Sequence, residues 1–172
     1  MDMGAMVVRM HGAQMERAVR EAGLVLTPQQ VGELGEAECA CLTRARRVSF
    51  GATAAPTLIR AIAGSPCLTG ADVLEQLMDL VEAFYDLRED FPAQTTDLEI
   101  IEALREGFDG EAQGDAALAA SLAREALTAR ERQAGYEITD DHGRVYRLDP
   151  VEWRDDTEAP GWDGERWEAD YE

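Results

Sequence analysis

Residues Ala71 to Asp90 carry two helical periodicities at once. Val73, Leu77, Leu80, Val81, Phe84 and Leu87 recur at the spacing of one helix face. Asp72, Glu75, Asp79, Glu82, Asp86 and Glu89 recur at intervals of 3, 4, 3, 4 and 3. That spacing puts all six carboxylates on one side of the same helix, opposite the apolar stripe. At a rise of about 1.5 Å per residue the row spans roughly 25 Å. None of the six has an Arg three or four residues away in sequence. Five successive like-charge neighbours at a few tenths of a kcal/mol each cost about 1–2 kcal/mol. A helix that carries such a row must be held by the core on its other side.

The rest of the chain reads as further helices. Met6 to Ala22 places Met10, Met15, Val19 and Ala22 near one face, with Gly23 as a stop. Thr27-Pro28-Gln29-Gln30 opens a helix with a cap, a first-turn proline and a capping-box partner, running to about Arg47. Its early Glu33, Glu36 and Glu38 and late Arg44, Arg46 and Arg47 match the helix dipole. Phe50-Gly51 breaks the pattern. Ala54 to Ala63 is a short apolar helix whose low polarity predicts a central position, ended by Gly64-Ser65-Pro66. Pro92 marks the end of the 71–90 helix. Asp97 to Phe108 follows, with Leu98, Ile101, Leu104 and Phe108 predicted to face inward. Asp115 to about Gln133 is an alanine-rich helix suited to close packing. Beyond Gly135, Tyr136-Glu137-Ile138 and Val145 to Leu148 flank an Asp141-His142-Gly143 turn and predict a small hairpin. An acidic tail with Trp153, Trp162, Trp167 and Tyr171 follows Asp149-Pro150.

The predicted fold is therefore mainly α: a compact bundle of five to six helices over residues 1–135. A C-terminal β-hairpin and acidic aromatic tail, 136–172, are appended to it. With 172 residues and 45% hydrophobic composition the chain can bury a core.

Charge narrows the function. The chain has 35 acids against 16 basic residues, for a net −19. That balance argues against direct nucleic-acid binding and against anionic membranes. No apolar run is long enough for a membrane span, and Met1 to Met10 lacks a signal-peptide pattern. All the basic residues are Arg, and neither Lys nor Asn occurs, a bias of the kind GC-rich bacterial or phage genomes produce. Residues 71–109 carry 12 acids and 2 Arg, net −10, and residues 136–172 carry 13 acids and 4 Arg, net −9. Residues 1–70, with 6 acids and 7 Arg, are net +1. The excess therefore sits in two blocks.

Two readings of the row stay open. It is a solvated face neutralised by Arg residues crossing over from elsewhere in the fold, or it is presented to a basic partner. Glu99, Glu102 and Glu106 form a shorter row on the next helix, with Arg105 placed to relieve Glu102. Fixed carboxylates in a line resemble a phosphate backbone in sign and approximate spacing. The leading expectation is a non-enzymatic protein that engages a basic, nucleic-acid-binding protein. Its sharpest form is a phage or mobile-element inhibitor, with Trp153, Trp162 and Trp167 as further anchors. The alternatives are an accessory subunit of a bacterial complex binding through apolar helix faces, and a metal-dependent enzyme using the 109–115 loop.

The other chemical candidates are weaker. Cys39, Cys41 and Cys67 form no disulfide framework, and residues two apart on a helix point to different faces. These thiols are expected to be small buried apolar groups in a reducing cytoplasm. The Asp109 to Asp115 loop alternates oxygen side chains around Gly114, but the twelfth position of a calcium loop falls on Ala120 and lacks its carboxylate. Asp115 is more simply an N-cap. His142 stands beside Asp140 and Asp141 with no nucleophile identifiable nearby. No catalytic residue, metal ligand or cofactor site is assigned.

Three stretches together carry a family resemblance: Leu26-Thr27-Pro28; Val48 to Gly51 through Pro56, Leu58-Ile59 and Ser65-Pro66; and Phe108 to Gly114. From about Leu24 to Arg132 the chain resembles a bacterial family, typical of Firmicutes and related gut bacteria, classed as a domain of unknown function. Phe108 to Gly114 is the most specific part. The chain departs from the family's pattern at Ala52 to Ala55, where more glycine is usual, and in its acidic tail. The resemblance implies a cytosolic helical protein and carries no activity to particular residues.

Overall fold

The computed structural model describes residues 3–46, 53–91, 95–134, 136–139 and 145–148. Six helices follow in chain order: α1 (Met3–Glu21), α2 (Pro28–Arg44), α3 (Ala54–Ile62), α4 (Val73–Asp90), α5 (Asp97–Asp109) and α6 (Ala116–Ala134). Two strands, β1 (Tyr136–Thr139) and β2 (Val145–Leu148), pair antiparallel with Tyr136 opposite Leu148 and Thr139 opposite Val145. The chain divides into two units, Met1–Ala129 and Arg130–Glu172, so the division falls within α6. The protein is a mainly α bundle, as the periodicities predict. The Phe50-Gly51 break, Pro92, the 141–143 turn and the tail lie outside the described residues.

Local chemistry sets the helix ends. α1 closes in a Schellman arrangement: the Gly23 N–H donates to Arg20 O (3.1 Å) and the Leu24 N–H to Val19 O (3.1 Å), with Gly23 at φ +72°. At the start of α2 the capping box forms as read. The Thr27 N–H donates to Gln30 Oε1 (2.8 Å) and the Gln30 N–H to Thr27 Oγ1 (3.3 Å). Thr27→Ala is therefore expected to cost about 1 kcal/mol in urea unfolding, whereas Thr27→Ser should be nearly neutral. A second box, Thr96 with Glu99, opens α5. α2 ends at Arg44, short of Arg47, and the chain leaves it through Arg46 at φ +52°.

α3 is the centre of the first unit. Ala55, Pro56, Leu58, Ile59 and Ile62 are all buried, and the helix contacts α1, α4 and α5. α2 packs between α1 and α4, and α4 also meets α5. The core fills with Met15, Leu34, Leu77, Leu80, Phe84, Leu87, Ile100, Leu104 and Phe108, each within 1% of complete burial. Arg88, also buried, ties the end of α4 to the start of α5 through Thr95 O, Asp97 Oδ1 (3.3 Å) and Phe91 O (3.4 Å). α6 approaches α5 closely. A Cβ on Gly107 would stand 3.0 Å from Ala119 O, which is the close packing that the small residues of α6 permit.

One inward expectation is corrected. Leu98 is 56% exposed, and Ile100 takes the interior position with Ile101, Leu104 and Phe108. At about 100° per residue Leu98 falls on the far side of α5 from Ile100 and Leu104. The sequence stripe was centred one edge too far round.

Candidate functional site

The six carboxylates of α4 and its N-cap all face solvent. Asp72, Glu75, Asp79, Glu82, Asp86 and Glu89 are exposed, while Leu77, Leu80, Val81, Phe84 and Leu87 are buried behind them. The row is nevertheless not uniform, because an Arg from elsewhere in the fold crosses over to part of it. Arg44, from the last turn of α2, places Nη1 2.9 Å from Glu82 Oε1 and Nη2 2.8 Å from Asp86 Oδ1. Its hydrogen bond to Glu82, and then the charge of Asp86, hold its guanidinium above the ordinary arginine range. Beyond the row, Arg124 of α6 binds Asp90 at 2.6 Å. Asp72, Glu75, Asp79 and Glu89 make no ion pair with any described residue. Among the described residues the N-terminal half of the row is thus open, and its middle is bridged from a neighbouring helix. Exposed pairs of this kind contribute little to stability, because water and salt screen them.

The shorter row on α5 resolves differently. Glu99 is a capping residue: its Oε2 accepts from the Thr96 N–H (2.7 Å) and hydroxyl (2.8 Å). Arg105 turns to Asp109 (3.7 Å) rather than to Glu102, one turn onward instead of one turn back. Glu102 and Glu106 are exposed. Trp153, Trp162 and Trp167 lie outside the described residues.

The sequence reading missed a buried polar node. Glu38, read there only as an acid favourable to the helix dipole, is completely buried. Its Oε1 accepts from the Tyr85 hydroxyl of α4 (2.9 Å) and from the Ala55 N–H at the start of α3 (3.2 Å). Thr53 holds the N-cap position of α3, but its side chain makes no capping bond. A carboxylate from α2 supplies the cap instead, where the helix dipole favours negative charge. Glu38 Oε2 and Thr53 Oγ1 are buried without a hydrogen-bond partner among the described residues. The signal was present: Glu38 stands at the i+4 position from Leu34 and three and four residues before Cys41 and Leu42, inside the buried stripe of α2.

Burial, then the negative charge of Glu38 and its hydrogen bond, push the Tyr85 hydroxyl far above its ordinary range near 10. A raised pKa means that the folded state holds the proton more tightly than the unfolded chain. The associated stability is complete below about pH 10 and is lost as pH rises beyond it. With no lysine in the chain, tyrosine and cysteine are the side chains that titrate in this range. Chemical denaturation between about pH 8 and 11 should therefore show an alkaline loss of stability that is smaller in Tyr85→Phe.

Of the three thiols only Cys41 is buried as expected; Cys39 and Cys67 are partly exposed. Cys39 Sγ lies 3.9 Å from His11 Nδ1, a residue 28 positions earlier. Burial first, then Glu38 and Glu36, pushes the Cys39 thiol up, away from a reactive thiolate. Cys41 is raised chiefly by burial, against the opposing charge of Arg44.

The 109–115 loop is a structural lock. The Ser65 hydroxyl donates to Asp109 Oδ1 and accepts from the Cys67 N–H (3.0 Å). Gln76 Nε2 donates to Cys67 O and Gly114 O (3.2 Å each). Asp115 Oδ1 caps α6 by accepting from the Leu118 N–H (2.9 Å). Gly114 lies at φ +97°, and a Cβ there would stand 3.0 Å from Cys67 O. A Cβ on Gly110 would stand 2.8 Å from Glu106 O. Asp109 and Asp115, two of the loop's oxygen-bearing side chains, are thus engaged in the fold. No group of three or more His, Cys, Asp or Glu side chains among the described residues is placed to hold a metal ion. No described helix is long and apolar enough to cross a membrane.

A family profile matches residues 13–137. The chain belongs to the DUF6323 family, a family of unknown function. The DUF6323 segment begins inside α1 and extends into β1, wider at both ends than the Leu24 to Arg132 resemblance. It contains the α4 row, the Glu38 node and the Ser65–Asp109 lock, and it excludes the acidic tail. Within the DUF6323 segment, the Ser65-Pro66 and Phe108 to Gly114 stretches that carried the resemblance meet in space at that lock. No curated protein and no solved structure matches the chain.

Proposed function

We propose that the chain is a cytoplasmic, non-enzymatic acidic binding protein that engages a basic protein partner through the open half of the α4 row. In its sharpest form it is an inhibitor that occupies the nucleic-acid-binding surface of that partner, as a phage or mobile-element product would. The supporting observation is that Asp72, Glu75 and Asp79 are exposed on a helix whose other face is fixed in the core, with no ion pair to any described residue. A rigid, uncompensated line of charge is what electrostatic complementarity needs, because no internal bond has to break first.

The test is a pull-down with the full chain at about 0.05 and 0.5 M salt, using two variants of equal net charge. The first carries Asp72→Arg, Glu75→Arg and Asp79→Arg; the second carries Glu36→Arg, Glu111→Arg and Glu125→Arg. The reading expects a basic partner recovered at low salt, lost at high salt as the charges are screened, lost in the first variant and retained in the second. Recovery that survives both high salt and the first variant would reject it in favour of an accessory subunit that binds through apolar faces.

A further inference from the structure

The N-terminal half of α2 and the C-terminal half of α1 enclose an open, largely apolar hollow of about 540 Å³. Val19, Leu24, Leu26 and Val31 form its apolar wall, and Glu16 and Arg20 are its charged groups. Gly12 and Gly32, on the two facing helices, keep it empty: a Cβ at either position would meet nothing within 4 Å. Mid-helix glycine costs about 1 kcal/mol relative to alanine, and no contact within the fold requires it at these two positions. Val25, 97% exposed, stands in sequence between the two leucines of the wall without lining the hollow itself.

We propose that this hollow is a self-association surface, and that its occupant is Val25 of a second copy of the chain related by a two-fold axis. Three observations carry this. A two-fold interface must be self-complementary, so knob and hole must lie side by side on one surface. Val25 is one residue, about 3.8 Å, from each of two wall residues. Glu16 and Arg20, one helical turn apart on α1, make no ion pair with any described residue, and a two-fold axis pairs each with the other's counterpart. Finally, residues 1–70 are net +1 in a chain of −19, so this is the part by which two such molecules can approach without strong repulsion. The surface lies at the far end of α2 from Arg44 and uses no residue of the α4 row, so it is independent of the proposed partner site.

The salt dependence has the opposite sign to partner binding. Salt screens the repulsion between two strongly negative chains, so the two-chain species gains at about 0.5 M relative to 0.05 M. Sedimentation velocity of the full chain from about 1 to 100 µM should show a concentration-dependent rise to the mass of two chains. Val25→Glu and Gly32→Leu should each weaken association at least tenfold. Both change open positions, and unchanged circular dichroism would verify the fold. Glu16→Arg and Arg20→Glu should each weaken it, and the double swap should restore it, a rescue that generic loss of charge would not give. A single-chain mass at every salt and concentration would overturn the proposal, as would association indifferent to Val25→Glu. So would a single-chain protein whose hollow takes up the apolar anion 8-anilinonaphthalene-1-sulfonate in a Gly32→Leu-sensitive way, which would make the hollow a ligand pocket instead.

Discussion

Replacing Glu38 with Ala is expected to destabilise the protein by about 3 kcal/mol, although no apolar side chain is lost. The change strands two donors in the interior, the Tyr85 hydroxyl and the Ala55 N–H, and each buried unpaired group costs about 1–3 kcal/mol. Removing Oε2, itself buried without a partner among the described residues, offsets part of that cost. Glu38→Gln keeps an acceptor at Oε1 and should cost only about 1 kcal/mol. Urea unfolding with an unchanged m-value measures both. In a double-mutant cycle with Tyr85→Phe, coupling of about 1 kcal/mol or more is expected, since the two residues share one hydrogen bond. Additive effects, or an alanine variant within 0.5 kcal/mol of wild type by this order-of-magnitude scale, would mean that the node does not organise α2, α3 and α4.

Gly114→Val should be comparably damaging, at about 3 kcal/mol. A β-branched residue at φ +97° is strained by about 1–3 kcal/mol before any contact is considered. Its Cβ would then stand 3.0 Å from the Cys67 carbonyl and 3.1 Å from Gln76 Nε2, whose bonds join this loop to the 65–69 turn. Gly64→Ala is the control: its Cβ meets nothing within 4 Å and its φ is not positive, so thermal unfolding should shift little. If the two variants unfold alike, the lock contributes nothing. The loop would then be free for another role.

The fold was legible because period and punctuation agreed. Six helices follow from apolar recurrence, and the ends that held best were those with explicit chemistry, Thr27-Pro28 and Gly23. Leu98 failed because an apolar residue in the first turn of a helix has few periodic neighbours to fix its side. The site was half legible. Spacing put six carboxylates on one face, and all six are exposed. Spacing is local, however, and Arg44 reaches Glu82 and Asp86 across 38 and 42 residues. Only the packing of α2 on α4 brings them together. Glu38 was hidden by its own plausibility, since an acid in a helix satisfies the dipole argument whether it faces water or the interior. Asking which residues share its face, rather than which end of the helix it is nearer, would have found it.

Arg44 also sets a threshold for whatever approaches the middle of α4. A visiting cation there has to evict a guanidinium that is tethered in place and already bonded to two carboxylates. A tethered competitor acts at an effective concentration far above that of a lone free cation, so solitary ammonium groups in solution are poor challengers. A surface that first seats several guanidinium groups on Asp72, Glu75 and Asp79 gains the same advantage of tethering, and can displace the resident. A partner of the proposed kind would thereby be selected by valency rather than by charge alone.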